Sequence, residues 1–591
     1  MELNFGVMGA DATARKVSAG APFRLAVLGD FSAGANKGRL EIGDKLAKRK
    51  PLRVDVDNID QVIERLKITV SLPMAGEGAV EFPITGMDDF HPDQLYDKVE
   101  LFSAMADLRR RLTSKSGFAA AAKEMVAWRA EPAPRSHAGH RRPRGATVPR
   151  GGKLSDFAKL IGQPSAPRDH VDIAVEDLLK SVVRPYIVKA KDPQQAALLA
   201  SLDKALAATM RKVLHHPDFQ ILESLWRSVD LLTRRIETST QLQIVLYDVS
   251  AEEFAADLSS RDSLEETGLF KLLVEQPALD AGQGALAAMI GAYVFDQTPP
   301  QAELLGRMAK LAAEANAPFI SAISPDFLQT APADVHPLIT AAWDGLRGLD
   351  EARYLALVTP RFLLRQPYGE RTDPIDSFDD FEEFTPQTGL KGMLWGNPAF
   401  MAGLMLAQTF AKQGAKMNLG TVLTAGDIPY YFYVDEEGDQ TALPCTERLM
   451  SERVAARVKS EHFIPLLSIK GRPEVRLGGF TSLAGVPLAG RWPEPTGAVF
   501  TPKTAPAAEG EAEAPAEGEE APAEGEEAAA DSGDGGESAD SNLDELMASL
   551  DDTPAEEAPS EDAPSGEEAP AEAESGEGEM DPELAELLKG L

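Results

Sequence analysis

The sequence predicts an α/β protein, with two folded α/β units followed by a disordered acidic tail. Three observations carry this expectation. Strand-like runs alternate with helical spacing through most of the chain. A length of 591 residues is more than one core can organise. Charge is also unevenly spread. Residues 501–591 contain 30 Asp/Glu and 2 Lys/Arg, a net of −28, so only −7 of the overall −35 belongs to the first 500 residues. Such a nearly neutral body lacks the clustered cations that nucleic-acid binding needs.

The first unit spans residues 1–128. Its "FRLAVLGDFSA" (23–33) reads as a buried strand closing on a Gly-Asp turn, and "LRVDVDNIDQVIERL" (52–66) passes from strand to helix. "LYDKVELFSAMADLRRRL" (95–112) has helical spacing with a basic last turn. Residues 129–153 break every periodicity, with seven basic residues against one acid among Pro, Gly and Ser, and read as a linker. In the large unit, 154–495, helical pattern runs to Ile236. Strands are expected at 242–249, 318–324 and 353–359, with a helix at 302–315. Residues 496–591 are too poor in apolar side chains to offset chain entropy. Two amphipathic islands interrupt them: Leu543, Leu546, Met547 and Leu550, then Leu584, Leu587, Leu588 and Leu591, each at i, i+3, i+4, i+7. Either they dock as short helices in a partner's groove or the tail is a solubilising bristle.

His-Pro-Asp occurs twice, at His91–Asp93 and His216–Asp218. A chaperone J-domain would place a basic spacer after it, whereas Phe219, Leu222, Leu225, Trp226 and Val229 make an apolar stripe directly after the second copy. Helix starts explain both copies, because proline suits the first helical position and an acid there faces the positive end of the helix dipole. His215, His216 and Asp218 are too close in sequence to converge on a metal, and "VLGDFSAGANKG" lacks the phosphate-loop pattern. The carboxylate run "DPIDSFDDFEEF" (373–384) reads as a solvated loop, or as a site for a cation or basic partner. No catalytic, cofactor-binding or metal-binding residue emerges, and no enzymatic activity is expected. Cys445 is the only cysteine. Together with the lack of a secretory signal or an apolar run long enough to span a bilayer, this leads to the expectation of a cytoplasmic protein without membrane insertion.

Longer motifs resemble a known family, the contractile sheath of the bacterial type VI secretion system. "LAVLGDFSA", "RKPLRVDVDNIDQVIERL" and "MDDFHPDQLYDKVELFSAMADLRRRL" resemble its small subunit (TssB/VipA) over about residues 20–127. "VLHHPDFQILESLWRSVDLL", "EARYLALVTPRFLLRQPYG", "LWGNPAF", "LPCTERL" and "EHFIPLLSIKG" resemble its large subunit (TssC/VipB) over about 154–480. The chain looks like the two subunits fused, small then large, their α/β domains packed as one protomer. The resemblance implies a helical polymer around an inner Hcp tube, expelled by contraction, with baseplate components as neighbours and the AAA+ unfoldase ClpV as recycler. By position, the unfoldase would bind "KLSDFAKLIG" through Leu154, Phe157 and Ile161, unless that helix packs permanently on its own domain. The large subunit's usual C-terminal segment, which interlaces neighbouring protomers, is not matched here. The alternative is a non-polymerising, sheath-derived adaptor that binds partners through its tail.

Overall fold

The heptapeptide FRLAVLG, Phe23–Gly29 (β1), is buried at every position. A strand without a polar face belongs inside a sheet covered on both sides, and β1 occupies that place. In the computed structural model, residues 3–8, 21–73, 79–130, 175–187, 195–279, 284–378, 381–385, 389–434 and 440–493 are described. The chain divides into two units, Met1–Gly525 and Glu526–Leu591, and every described residue belongs to the first. Most of the expected linker, the candidate residues Leu154, Phe157 and Ile161, and all the tail leucines lie outside the described residues.

The strands that build the main sheet are β1, β2 (Leu52–Val54), β5 (Leu242–Asp248), β6 (Ala288–Phe295), β7 (Phe319–Ile323), β8 (Leu355–Thr359), β11 (Thr424–Ala425), β14 (Ile464–Ser468) and β15 (Val475–Leu477). Their order is β11-β15-β14-β8-β7-β6-β1-β5-β2. The six from β14 to β5 run parallel, while β2, β15 and β11 pair antiparallel at the two margins. A separate hairpin joins β3 (Ile68–Pro73) to β4 (Ala79–Ile84). Smaller pairs join β9 (Phe362–Leu363) to β10 (Trp395–Gly396), and β12 (Tyr431–Val434) to β13 (Gln440–Leu443).

Two apolar layers cover the sheet. Leu25 and Val27 of β1 face a core that also holds α3 (Glu100–Thr113), α6 (Gln195–Leu214), α7 (Pro217–Arg235) and α11 (Ala399–Gln413). Ala26 and Leu28 face the opposite core, with α8 (Ala251–Ser259), α9 (Pro299–Glu314) and α10 (Pro337–Arg347). This alternation along one strand follows from the two-residue period of β structure. On the first side α11 runs close over the sheet. A Cβ at Gly403 would stand 2.3 Å from the end of the Ile290 side chain of β6, so any larger residue there would have to displace Ile290.

The expected strands and the helix at 302–315 are present within a few residues of their predicted ends. The predicted single helix at 95–112 is instead two, α2 (Pro92–Lys98) and α3. They are separated by Val99, which is extended (φ −86°, ψ 119°) and fully buried. Burying Val99 in the core outweighs helical continuity there. The segment 188–194 lies outside the described residues, and helix α5 (Val175–Val183) precedes it.

Candidate functional site: the seam between the N-terminal and C-terminal segments

The seam begins with β1 itself. It pairs in parallel with β5 along its whole length, Phe23 opposite Leu242 through Gly29 opposite Asp248. Its other edge pairs with β6, Leu25 opposite Ala288 through Leu28 opposite Gly291. A strand from residues 23–29 therefore separates two strands that follow each other in the later segment. Without it, β5 and β6 would each expose an unpaired edge inside the core, and buried unpaired peptide groups are costly.

The loop after β1 carries the seam into α7. Trp226 is fully buried and donates its Nε1–H to the Phe31 carbonyl (3.2 Å), with the two rings edge-to-face at 5.2 Å. Asn36 donates Nδ2–H to the Ser71 carbonyl and to Asp218 (both 2.9 Å), and accepts from the Ser71 amide. Phe219 packs against Phe82 and Phe90 from the N-terminal segment. The predicted burial of Leu222 and Trp226 is thus found.

Both His-Pro-Asp stretches are helix starts, as the sequence predicts. His91 and His216 are the N-caps of α2 and α7; each accepts the amide of its Asp through Nδ1 (3.3 Å), with proline at the first helical position. A third His-Pro pair, His336-Pro337, begins α10 in the same way. The acids do more than face a dipole. Asp93 accepts from the Asp376 and Ser377 amides and the Ser377 hydroxyl, binding α2 to the later segment. Burial works against ionisation of Asp93, but the Ser377 hydroxyl and these two amides hold its carboxyl below the ordinary value. Asp218 reaches back to Asn36. The two motifs are reciprocal clasps, one on each side of the seam.

The expectation of a solvated loop at 373–384 is corrected at Glu383, which is 1% exposed. Arg365 binds it through both terminal nitrogens (2.6 and 3.0 Å) and donates Nε–H to buried Glu223 (2.8 Å). Its guanidinium also covers the Tyr368 ring at 4.1 Å. Arg227 joins Glu223 (2.7 Å) to the Tyr368 hydroxyl (2.9 Å), and His215 Nε2 stands 3.5 Å from Glu383. Burial alone would raise the Glu383 carboxyl, but the Arg365 charge and its hydrogen bonds, with His215 close by, bring it to about 2. The Tyr368 ring in turn packs edge-on against His91 at 4.9 Å. Phe378 and Phe381 are buried as well, with Phe378 against Tyr96. The aromatic residues interleaved with these carboxylates are the signal that could have revealed docking.

A second polar cluster lies where β1 and β5 end. Asp248 accepts from the Ser32 amide and hydroxyl and pairs with Arg39 (2.7 Å). Arg49 bridges Glu41 and fully buried Glu253. Asp30 accepts from the Gly34 and Ala35 amides. Crevices at the carboxyl ends of parallel strands are where α/β sheets usually bind ligands. Here the loop 30–43 and its ion pairs occupy the crevice. No group of three or more potential metal ligands is found among the described residues, and no described helix is long and apolar enough to cross a membrane.

The geometry defines a class of structural protein in which one segment supplies a central strand to another's sheet, fixed by buried ion pairs and helix caps. Residues 9–125 match the type VI secretion system VipA family, and residues 196–484 match the VipB family, described as the EvpB tail sheath N-terminal domain. The type VI secretion system sheath protein TssC1 of Pseudomonas aeruginosa is 32% identical over 355 residues, covering 56% of this chain and 71% of that protein. This chain belongs to the type VI secretion system sheath family, and it is a structural component of such a sheath with VipA-like and VipB-like regions in one polypeptide. The family supports self-assembly into a sheath.

Proposed function

We propose that the chain is a single-chain sheath protomer that polymerises around an inner tube of the Hcp class in the cytoplasm and contracts to expel it. In this reading residues 1–128 act as the small subunit, 129–153 as a tether, 154–495 as the large subunit and 496–591 as an added tail. The observation that carries it is the placement of β1 between β5 and β6. Two subunits that share a sheet in this way cannot act apart, and fusing them fixes their ratio at one to one. A tether also raises the local concentration of one part at the other to roughly mM. Contraction would draw on a packing that is metastable as assembled, released through bistable interfaces between copies, and needs no catalytic residue. Baseplate components and the ClpV unfoldase complete the proposed partners, the latter at Leu154, Phe157 and Ile161.

Electron microscopy of the purified full chain tests this reading. Tubes or helical filaments are expected, since heterologous contacts that do not close give an open helix. Discrete particles at every concentration and salt condition would favour the adaptor reading instead.

A further inference from the structure

Arg39 stands among acids that reach it from both sides of the seam. Its Nη2 donates to Asp248 and to the Ser32 hydroxyl (both 2.7 Å), and Glu253 Oε1 is 3.8 Å from its Nε. That Nε is covered by protein and meets no hydrogen-bond partner among the described residues. The guanidinium lies over Gly34, where a Cβ would fall within 2.7 Å of its Nη2, Nε and Cζ. The Gly34 amide is in turn one of two, with that of Ala35, that Asp30 accepts (2.6 and 2.9 Å). Asp30 therefore sits beside the same guanidinium, yet it makes no ion pair among the described residues.

The other charges of this corner are engaged or exposed. Arg49 bridges Glu41 and Glu253, while Lys37 and Glu252 are exposed. Asp257 is held by the amides of Gly43, Gly268 and Leu269, and Asp218 of α7 is bonded to Asn36. The Tyr293 hydroxyl of β6 donates to the Val249 carbonyl. Two carboxylates thus share one guanidinium, and burial together with the Asp248 charge lifts Asp30 to about 7.

We propose that Asp30, Arg39 and Asp248 form a proton-gated latch across the seam. With Asp30 protonated, Arg39 is committed to Asp248 and holds the loop 30–43 against the end of β5. With Asp30 ionised, the unused Nε–H of Arg39 turns to Asp30, and the bond to Asp248 weakens because one guanidinium then serves two acids. Asp30 keeps its two amides in either state, so the change falls on Asp248, the contact that joins the VipA-like region to the VipB-like region. The latch is closed below neutral pH and loosened above it, a range in which ordinary carboxylates do not titrate. This goes beyond the sheath reading and does not depend on polymerisation.

Hydrogen exchange of the full chain, read by mass spectrometry on peptides covering 31–43, tests the latch. After correction for the base-catalysed rise in intrinsic exchange, the loop should exchange severalfold faster at pH 8 than at pH 6. Asp30→Asn, which removes the charge and keeps the size, should hold the slow rate at both values. Arg39→Gln, which removes the shared cation, should give the fast rate at both. A loop equally protected at pH 6 and pH 8 in the unaltered chain overturns the proposal. So does either variant that keeps the full pH difference, because histidines or another acid would then own it. An increase of the same size in peptides of β7 would place the response in global unfolding, and that too rules the latch out.

Discussion

Asp30 shows what the seam demands of single residues. Burial, then the neighbouring Asp248 charge, raises its carboxyl from 3.8 to about 7. A folded-state value above the unfolded one means the native protein holds the extra proton between those limits. The associated stability is therefore fully present below about pH 4 and is lost as pH rises through about 7, up to roughly 4 kcal/mol in all. Urea unfolding at pH 5 and pH 8 should show this decline, and Asp30→Asn should flatten it. An equally steep decline in the variant would assign the effect to other groups. Trp226 tests the apolar side of the same junction. Trp226→Ala should cost about 3–5 kcal/mol in the same measurement, the usual range for an aromatic deleted from a core. His216→Gln, by contrast, alters one N-cap, an effect on the order of 1 kcal/mol, and should leave assembly intact.

At the scale of elements, β1 decides the fold. Its seven residues are few, but they complete a sheet whose other parallel strands all come from residues beyond 241. Chains 1–130 and 153–591 expressed together without the linker should copurify as a complex, because each leaves the other an open edge. Recovery of both as separate monomers would refute the shared-sheet account. Within the interior of β1, Val27→Asp places a charge in the apolar layer that covers the sheet and should abolish that copurification, whereas Val27→Ile should not. The helix starts illustrate a different economy. One short motif, His-Pro, caps three helices, and in two of them the following Asp spends its second bonding capacity across the seam.

For the whole molecule, the shared sheet makes the fused protomer a physical unit rather than two domains on a string. The proposed recycling by an unfoldase then needs an accessible handle outside that unit. Phe157→Asp should weaken binding of an AAA+ unfoldase while electron microscopy shows unaltered assembly, and undiminished binding in a pull-down would remove the candidate helix from consideration. The tail islands belong to this scale too. Leu546→Glu together with Leu587→Glu destroys both apolar faces but preserves the acidic character. If the islands dock, the double variant should lose partners that the unmodified tail retains.

Local pattern alone determined a good part of this protein. Continuous apolar runs and helical spacing placed β1, β5, β7, β8 and α9, and proline followed by an acid marked where α2 and α7 begin. The sharp change in charge after residue 500 separated tail from body. Other features depended on partners distant in the chain. The run AMIGAYVF, Ala288–Phe295, is the most interior neighbour of β1, yet a short apolar run without polar alternation fits a buried helix as well as a strand. The hairpin of β3 and β4 is equally a product of pairing. Glu383 looked like one more exposed acid until Arg365, Glu223 and His215 were brought around it. Sequence period reports what each residue does along its own strand or helix. Which strand lies between β5 and β6, and which carboxylate is buried, are settled by contacts hundreds of residues apart, where burial and pairing outweigh any local preference.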